Sequence, residues 1–116
     1  MKKFLILRIV NHETNVDESI INKDNIFKIS VDIFEASKEK DQGILSISIL
    51  EKTEHEFSLN LKNFSKINID LSKKCILDYI VTELNENAFC LEISQKTISK
   101  YLNVYWLYFK RKGKHG

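Results

Sequence analysis

Phe27-Lys28-Ile29-Ser30-Val31-Asp32-Ile33, Leu45-Ser46-Ile47-Ser48-Ile49 and Phe57-Ser58-Leu59-Asn60-Leu61 alternate apolar and polar residues with a period of two. That period belongs to strands with one buried and one wet face. The connections Ser37–Gly43 and Glu51–Glu56 are short and polar, as hairpin connections are. The stretch from Ile26 to Leu61 therefore reads as three antiparallel strands, and the rest of the chain must cover their apolar face.

Working outward, Phe4–Val10 is apolar on both faces apart from Arg8 and reads as a strand covered on both sides, partly by another subunit. Asn11–Asp24 is polar and rich in turn formers, so it reads as a loop, pinned by the apolar pair Ile20-Ile21. Ile67, Ile69 and Leu71 alternate with Asn68 and Asp70, suggesting a short edge strand. From Lys73 the period changes: Ile76, Leu77, Ile80, Val81 and Leu84 recur at helical spacing. Ser72 can cap this helix, with Leu71 and Ile76 as a hydrophobic staple. Lys73 and Lys74 would then oppose the helix dipole at about 0.3–1 kcal/mol each.

Ala88–Ser94 reads as an extended connector. Ile98, Tyr101, Leu102, Tyr105, Trp106 and Phe109 then fit one helical face, although the same run has strand composition. The fold expected is α+β: an antiparallel four-stranded sheet with helices Ser72–Glu86 and Thr97–Lys110 packed on one face, in a single domain spanning residues 1–116.

The chain has 116 residues, 43% hydrophobic and 29% charged, which suits one globular domain. Net charge is +2, too small to imply a nucleic-acid partner. Its distribution is uneven, because Lys110, Arg111, Lys112 and Lys114 close the chain. Without these four, the 18 basic residues fall to 14 against 16 acidic ones, a net of −2. A basic tail either binds phosphate or keeps a terminus solvated.

Cys75 and Cys90 sit among apolar residues and read as buried free thiols rather than a disulfide framework. Arg8 interrupts the only run resembling a signal peptide, and no run approaches the ~18 apolar residues of a membrane span. The expected setting is cytoplasmic, with no membrane insertion.

No catalytic, metal or cofactor signature stands out. His12, His55 and His115 are scattered, and Gly43 stands far from any glycine-rich phosphate loop. His55 between Glu54 and Glu56 is expected to point to water from a tight turn. The densest cluster is Tyr101, Tyr105, Trp106, Tyr108 and Phe109, followed by Lys110-Arg111-Lys112. Such a cluster packs on a sheet, stacks on single-stranded nucleic acid, or meets another chain. Phe34 is the other candidate, an aromatic on the strand face that otherwise carries Lys28, Ser30 and Asp32.

The order of elements resembles the bacterial export chaperone SecB family. Phe4…Arg8-Ile9 looks like that family's first strand, and Phe27–Ser37 with Ile44–Ser58 resembles its central hairpin, Phe57-Ser58 included. Cys75-Ile76-Leu77-Asp78-Tyr79-Ile80-Val81 is similar to the motif preceding its long helix, with Asp78 and Val81 in place of a proline and an arginine. Asn87-Ala88-Phe89-Cys90 stands where its connector lies, and Thr97–Phe109 would be the closing helix.

The resemblance implies an oligomer that holds unfolded or extended polypeptide in exposed apolar grooves; the apolar surface of Phe4–Val10 and the last helix makes a dimer or tetramer the expectation, and the residues point to no enzyme and no cofactor. Phe34, Tyr105, Trp106 and Tyr108 are the expected contacts. A small inhibitor or immunity-type protein binding one folded partner, or nucleic-acid binding through the C-terminus, are the alternatives.

Overall fold

A computed structural model describes residues 3–12, 14–86 and 89–104. The class is α+β, but the strands fall into two sheets of three. Strands β1 (Phe4–His12), β2 (Asn15–Asn22) and β6 (Cys90–Ser94) form one sheet, in the order β2-β1-β6. Strands β3 (Lys28–Ser37), β4 (Gln42–Leu50) and β5 (Glu54–Lys62) form the other, in sequence order. Helix α1 (Ile69–Asn85) lies between β5 and β6 in the chain, and the short α2 (Gln95–Ile98) follows β6. The four-stranded sheet with two helices on one face is thus replaced by a larger sheet system and one substantial helix.

The β3–β4–β5 meander follows the alternation read from the sequence. Ile47 pairs with Val31 on one side and Phe57 on the other, and all three are buried. Ser46, Asp32 and Ser58 form the wet row beside them.

The stretch expected to be a loop is mostly β2. It pairs antiparallel with β1 in a register that sets Ile6 opposite Ile20 and Arg8 opposite Glu18. Only Ile21 of β2 is buried, so little in its own pattern announces a strand. Pairing with β1 imposes the extended form. Of the expected extended connector Ala88–Ser94, Cys90–Ser94 is a strand that pairs in parallel with β1, burying Leu91 and Ile93 completely, while Ala88 lies outside the described residues. A parallel pair requires a crossover, which the α1-containing segment supplies.

Helix α1 begins at Ile69, three residues after the 3-10 turn Phe64–Lys66 ends. The cap is Asn68, whose side chain accepts the Leu71 N–H at 3.3 Å, and not Ser72. This start places Asp70 in the first turn, where the dipole favours an acid, and moves Lys73 and Lys74 out of it. The expected edge strand is absent for the same reason; Ile67 forms only an isolated bridge with Val104. Ser72 lies fully buried within the helix and accepts the Asn103 N–H at 2.8 Å.

The expected Thr97–Lys110 helix stops early. Ser94 and Thr97 close a reciprocal cap on α2, a 3-10 turn covers Ser99–Tyr101, and Leu102 leaves in an extended conformation. Asn103 then donates to Ser72 and its carbonyl accepts the Asn68 N–H at 2.6 Å, which holds this segment across the start of α1. Residues 105–110 of the expected helix lie outside the described residues.

One core joins both sheets and the helices. Leu7, Ile9, Leu45, Ile49, Ile76, Ile80 and Ile98 are among its members. Each such side chain contributes about 1.5–3 kcal/mol on burial.

Candidate functional site

Among the described residues, one group of exposed apolar side chains follows from the sheet order. In β1, Leu5, Leu7 and Ile9 face the core, so Phe4, Ile6, Arg8 and Val10 face outward. Ile6 stands opposite Ile20 and Cys90 on its two neighbours. Phe4 is 60% exposed, Ile20 76% and Phe89, just before β6, 69%. An ion-pair layer follows along the same face: Arg8 bridges Glu18 and, at 3.2 Å, Glu92. Exposed Val16 lies opposite Val10 beyond it.

Cys90 is exposed and not buried as expected, since it opens β6 on this outer face. Its sulfur is still partly shielded. That desolvation, and then the Glu18 and Glu92 carboxylates, push the thiol above its ordinary pKa and away from nucleophilic use.

Beside this face lies a polar groove of about 580 Å³, lined by Asn11, His12, Asn15, Ser58, Asn60 and Gln95 among others. Asn11 is the extra residue where the β1–β2 register shifts between Val10 and His12. Such bulges re-aim a side chain. Here the Asn11 amide reaches the edge of β5, where its Oδ1 accepts the Ser58 N–H at 2.9 Å and its Nδ2 donates to the Glu56 carbonyl at 3.5 Å.

The residues singled out from sequence do not converge. Phe34 is 49% exposed on the outer face of β3, opposite Ile44, as its strand position requires. Tyr105, Trp106 and Tyr108 lie outside the described residues. Tyr101 stacks on Tyr79, with ring centroids 5.1 Å apart, and the Tyr79 hydroxyl donates to the Glu92 carbonyl at 3.0 Å. Burial, then the Glu83 carboxylate, raises the Tyr79 phenol above its ordinary pKa.

His55 does not point to water. Strand β5 starts at Glu54, so Glu54 and Glu56 face out and His55 faces in, 9% exposed opposite Ile49. Its Nε2 lies 3.6 Å from Glu51, whose carboxylate also accepts the Asn22 N–H at 3.3 Å. The Lys52 backbone N–H first, then Asn22 and His55, hold the Glu51 carboxyl below the usual carboxylate range. This cluster ties the β4–β5 turn to the end of β2. It presents no open position for a substrate.

No family model, curated protein or solved structure matches the chain. Its own geometry therefore carries the functional argument. Among the described residues no group of histidine, cysteine or carboxylate side chains is placed to hold a metal ion, and no helix is long and apolar enough to cross a membrane.

The sequence reading missed Asn11 and the outward half of the Ile20-Ile21 pair. A signal for the latter existed: two adjacent apolar residues in a strand must face opposite ways, so one of them faces outward. Asn11 had no such signal, because a register shift is a property of the pairing.

Proposed function

We propose that the chain binds unfolded or extended polypeptide, as a SecB-like holding chaperone or adaptor. The observation that carries this reading is the outward Ile6–Ile20 pair, flanked by exposed Phe4 and Phe89. Apolar side chains gathered on one sheet face offer contact area without demanding a particular client sequence. The Arg8, Glu18 and Glu92 layer across the middle of that face breaks it into two apolar parts, which suits alternating side chains of an extended client.

Phe34 and, outside the described residues, Tyr105, Trp106 and Tyr108 are further contacts on this reading, since aromatics give large area at low entropy cost. The same outward face of β1 supports assembly into a dimer or tetramer. The two free cysteines agree with a reducing, cytoplasmic setting.

The test is suppression of aggregation of a chemically unfolded client, with weak dependence on salt. Ile20→Ser should reduce suppression severalfold while leaving the fold intact. Binding that falls steeply with salt and disappears on removal of residues 110–116 would instead indicate nucleic acid. A stoichiometric complex with one folded protein, and no suppression, would indicate an inhibitor.

A further inference from the structure

We propose that the free edge of β5, from Ser58 to Lys62, is a strand-addition site that takes the backbone of an extended polypeptide in the groove beside it. The proposal rests on the polypeptide-binding reading and goes beyond it, because it names the backbone groups that do the binding.

Strand β5 is the last strand of its sheet, paired only with β4. Its register with β4 runs unbroken from Glu54 to Lys62, and antiparallel pairing turns the N–H and C=O of alternate residues toward β4 and away from it. The Ser58 N–H and Glu56 C=O do point outward, because Asn11 takes both. Accepting from one residue and donating to the residue two before it is the pattern one residue of a neighbouring parallel strand would make. The Asn11 amide therefore stands in for a single peptide group on the edge of β5.

Beyond that rung no described residue pairs with the edge. The Ser58 carbonyl and both backbone groups of Asn60 continue the row, and none has a hydrogen-bond partner among the described residues. Two of the other three edges differ. Strand β2 carries Asp17 and Glu18, charges that discourage edge pairing, and α1 packs against β3 with Lys73 4.0 Å from Asp32.

The groove runs along this open row. Its volume of about 580 Å³ is lined by Ser58, the half-buried Leu59 and Asn60 of β5 together with Asn11, Asn15 and Gln95. Asparagine and glutamine side chains both donate and accept, as a peptide backbone requires, and they set no demand on a peptide's own side chains. Ser58 to Lys62 spans roughly 14 Å, enough for an extended segment of about five residues. Backbone pairing gives affinity in such additions, with alternate side chains turned to either face.

The experiment measures binding of a fluorescent alternating Thr-Val peptide to the full chain. Asn60→Pro removes an outward N–H without touching a rung to β4, a substitution edge strands tolerate. It should weaken binding by about tenfold, from one lost hydrogen bond and the ring filling the slot. The same peptide N-methylated at alternate residues should lose a similar amount on the unchanged protein, which keeps the test sound if Asn60→Pro fails to fold.

Equal binding of methylated and unmethylated peptide would overturn the edge site while leaving the apolar-face reading standing. Loss with Ile20→Ser but not with Asn60→Pro would do the same. Absence of both peptide binding and client suppression would overturn both. Competition by a soluble oligosaccharide but not by peptide would overturn the edge site in favour of a glycan groove.

Discussion

The Asp41 carboxylate holds Ser65 twice, accepting its N–H at 2.8 Å and its hydroxyl at 2.7 Å. Asp41 itself is in the left-handed region, with φ of 51°, and its carbonyl accepts the Phe64 N–H at 3.0 Å. The β3–β4 turn and the 3-10 turn before α1 are thereby fastened together. Asp41→Ala should destabilise the protein by about 2–3 kcal/mol, through charge-assisted hydrogen bonds lost and a strained backbone. Asp41→Gly relieves the strain and should cost less. Urea unfolding of the two variants separates the terms. Equal midpoints for Asp41→Ala and the parent chain would remove the clamp from the account.

Gly43 is where that clamp leaves no room. A Cβ there would sit 2.9 Å from Phe64 Cε1, closer than real Cβ atoms approach. Gly43→Ala should cost about 1–3 kcal/mol as an overpacked site. Adding Phe64→Ala should recover part of the loss, which a double-mutant cycle would register as coupling. Additive losses would show that the ring moves aside freely.

Glu51 sets a pH dependence. Its carboxyl is held below the usual range by the Lys52 N–H, then by Asn22 and His55. A group with a depressed folded value binds its proton more readily in the unfolded chain. Its stabilising share is therefore complete above the ordinary carboxylate range and is lost as pH falls through the lower, folded value. Glu51→Gln should lower the urea midpoint at neutral pH and flatten its decline between about pH 5 and pH 3. An unchanged acid slope in the variant would assign the decline to other carboxylates.

How far the sequence foretold these contacts depended on whether a residue's own neighbours revealed its face. Strands β3, β4 and β5 were legible because each has one wet and one dry side, and Phe34 was placed correctly by the same alternation. Strand β2 was not, since Asn15 to Glu18 all face water and only Ile21 is buried. Ser72 looked like a cap because serine caps helices, yet Asn68 wins by bringing Asp70 into the first turn. His55 was misread because β5 starts at Glu54, inside the expected turn, and extending the alternation of Phe57, Leu59 and Leu61 back brings His55 to the buried face. Asn11 was invisible for a deeper reason: its role exists only where two strands shift register and a third lies within reach.

Phe34 and Ile20 allow client binding to be separated from folding. Ile20 is 76% exposed and Phe34 49%, so neither contributes a full buried side chain to the core. Phe34 does rest beside Ile44, a cross-strand pair worth about 0.2–1 kcal/mol. Phe34→Ser should therefore lower stability by no more than about 1 kcal/mol, and Ile20→Ser by less. Both variants should keep the parent's circular dichroism, and each should weaken suppression of client aggregation. The two residues lie on different sheets, so the paired variant should lose roughly the sum of the two losses. If Ile20→Ser alone abolishes suppression and Phe34→Ser has no effect, the binding face is the β2-β1-β6 sheet and Phe34 is simply an exposed ring. A loss of several kcal/mol from Ile20→Ser would instead mean that Ile20 is covered in solution. Sedimentation equilibrium would then show the dimer or tetramer that covers it, dissociating in the variant.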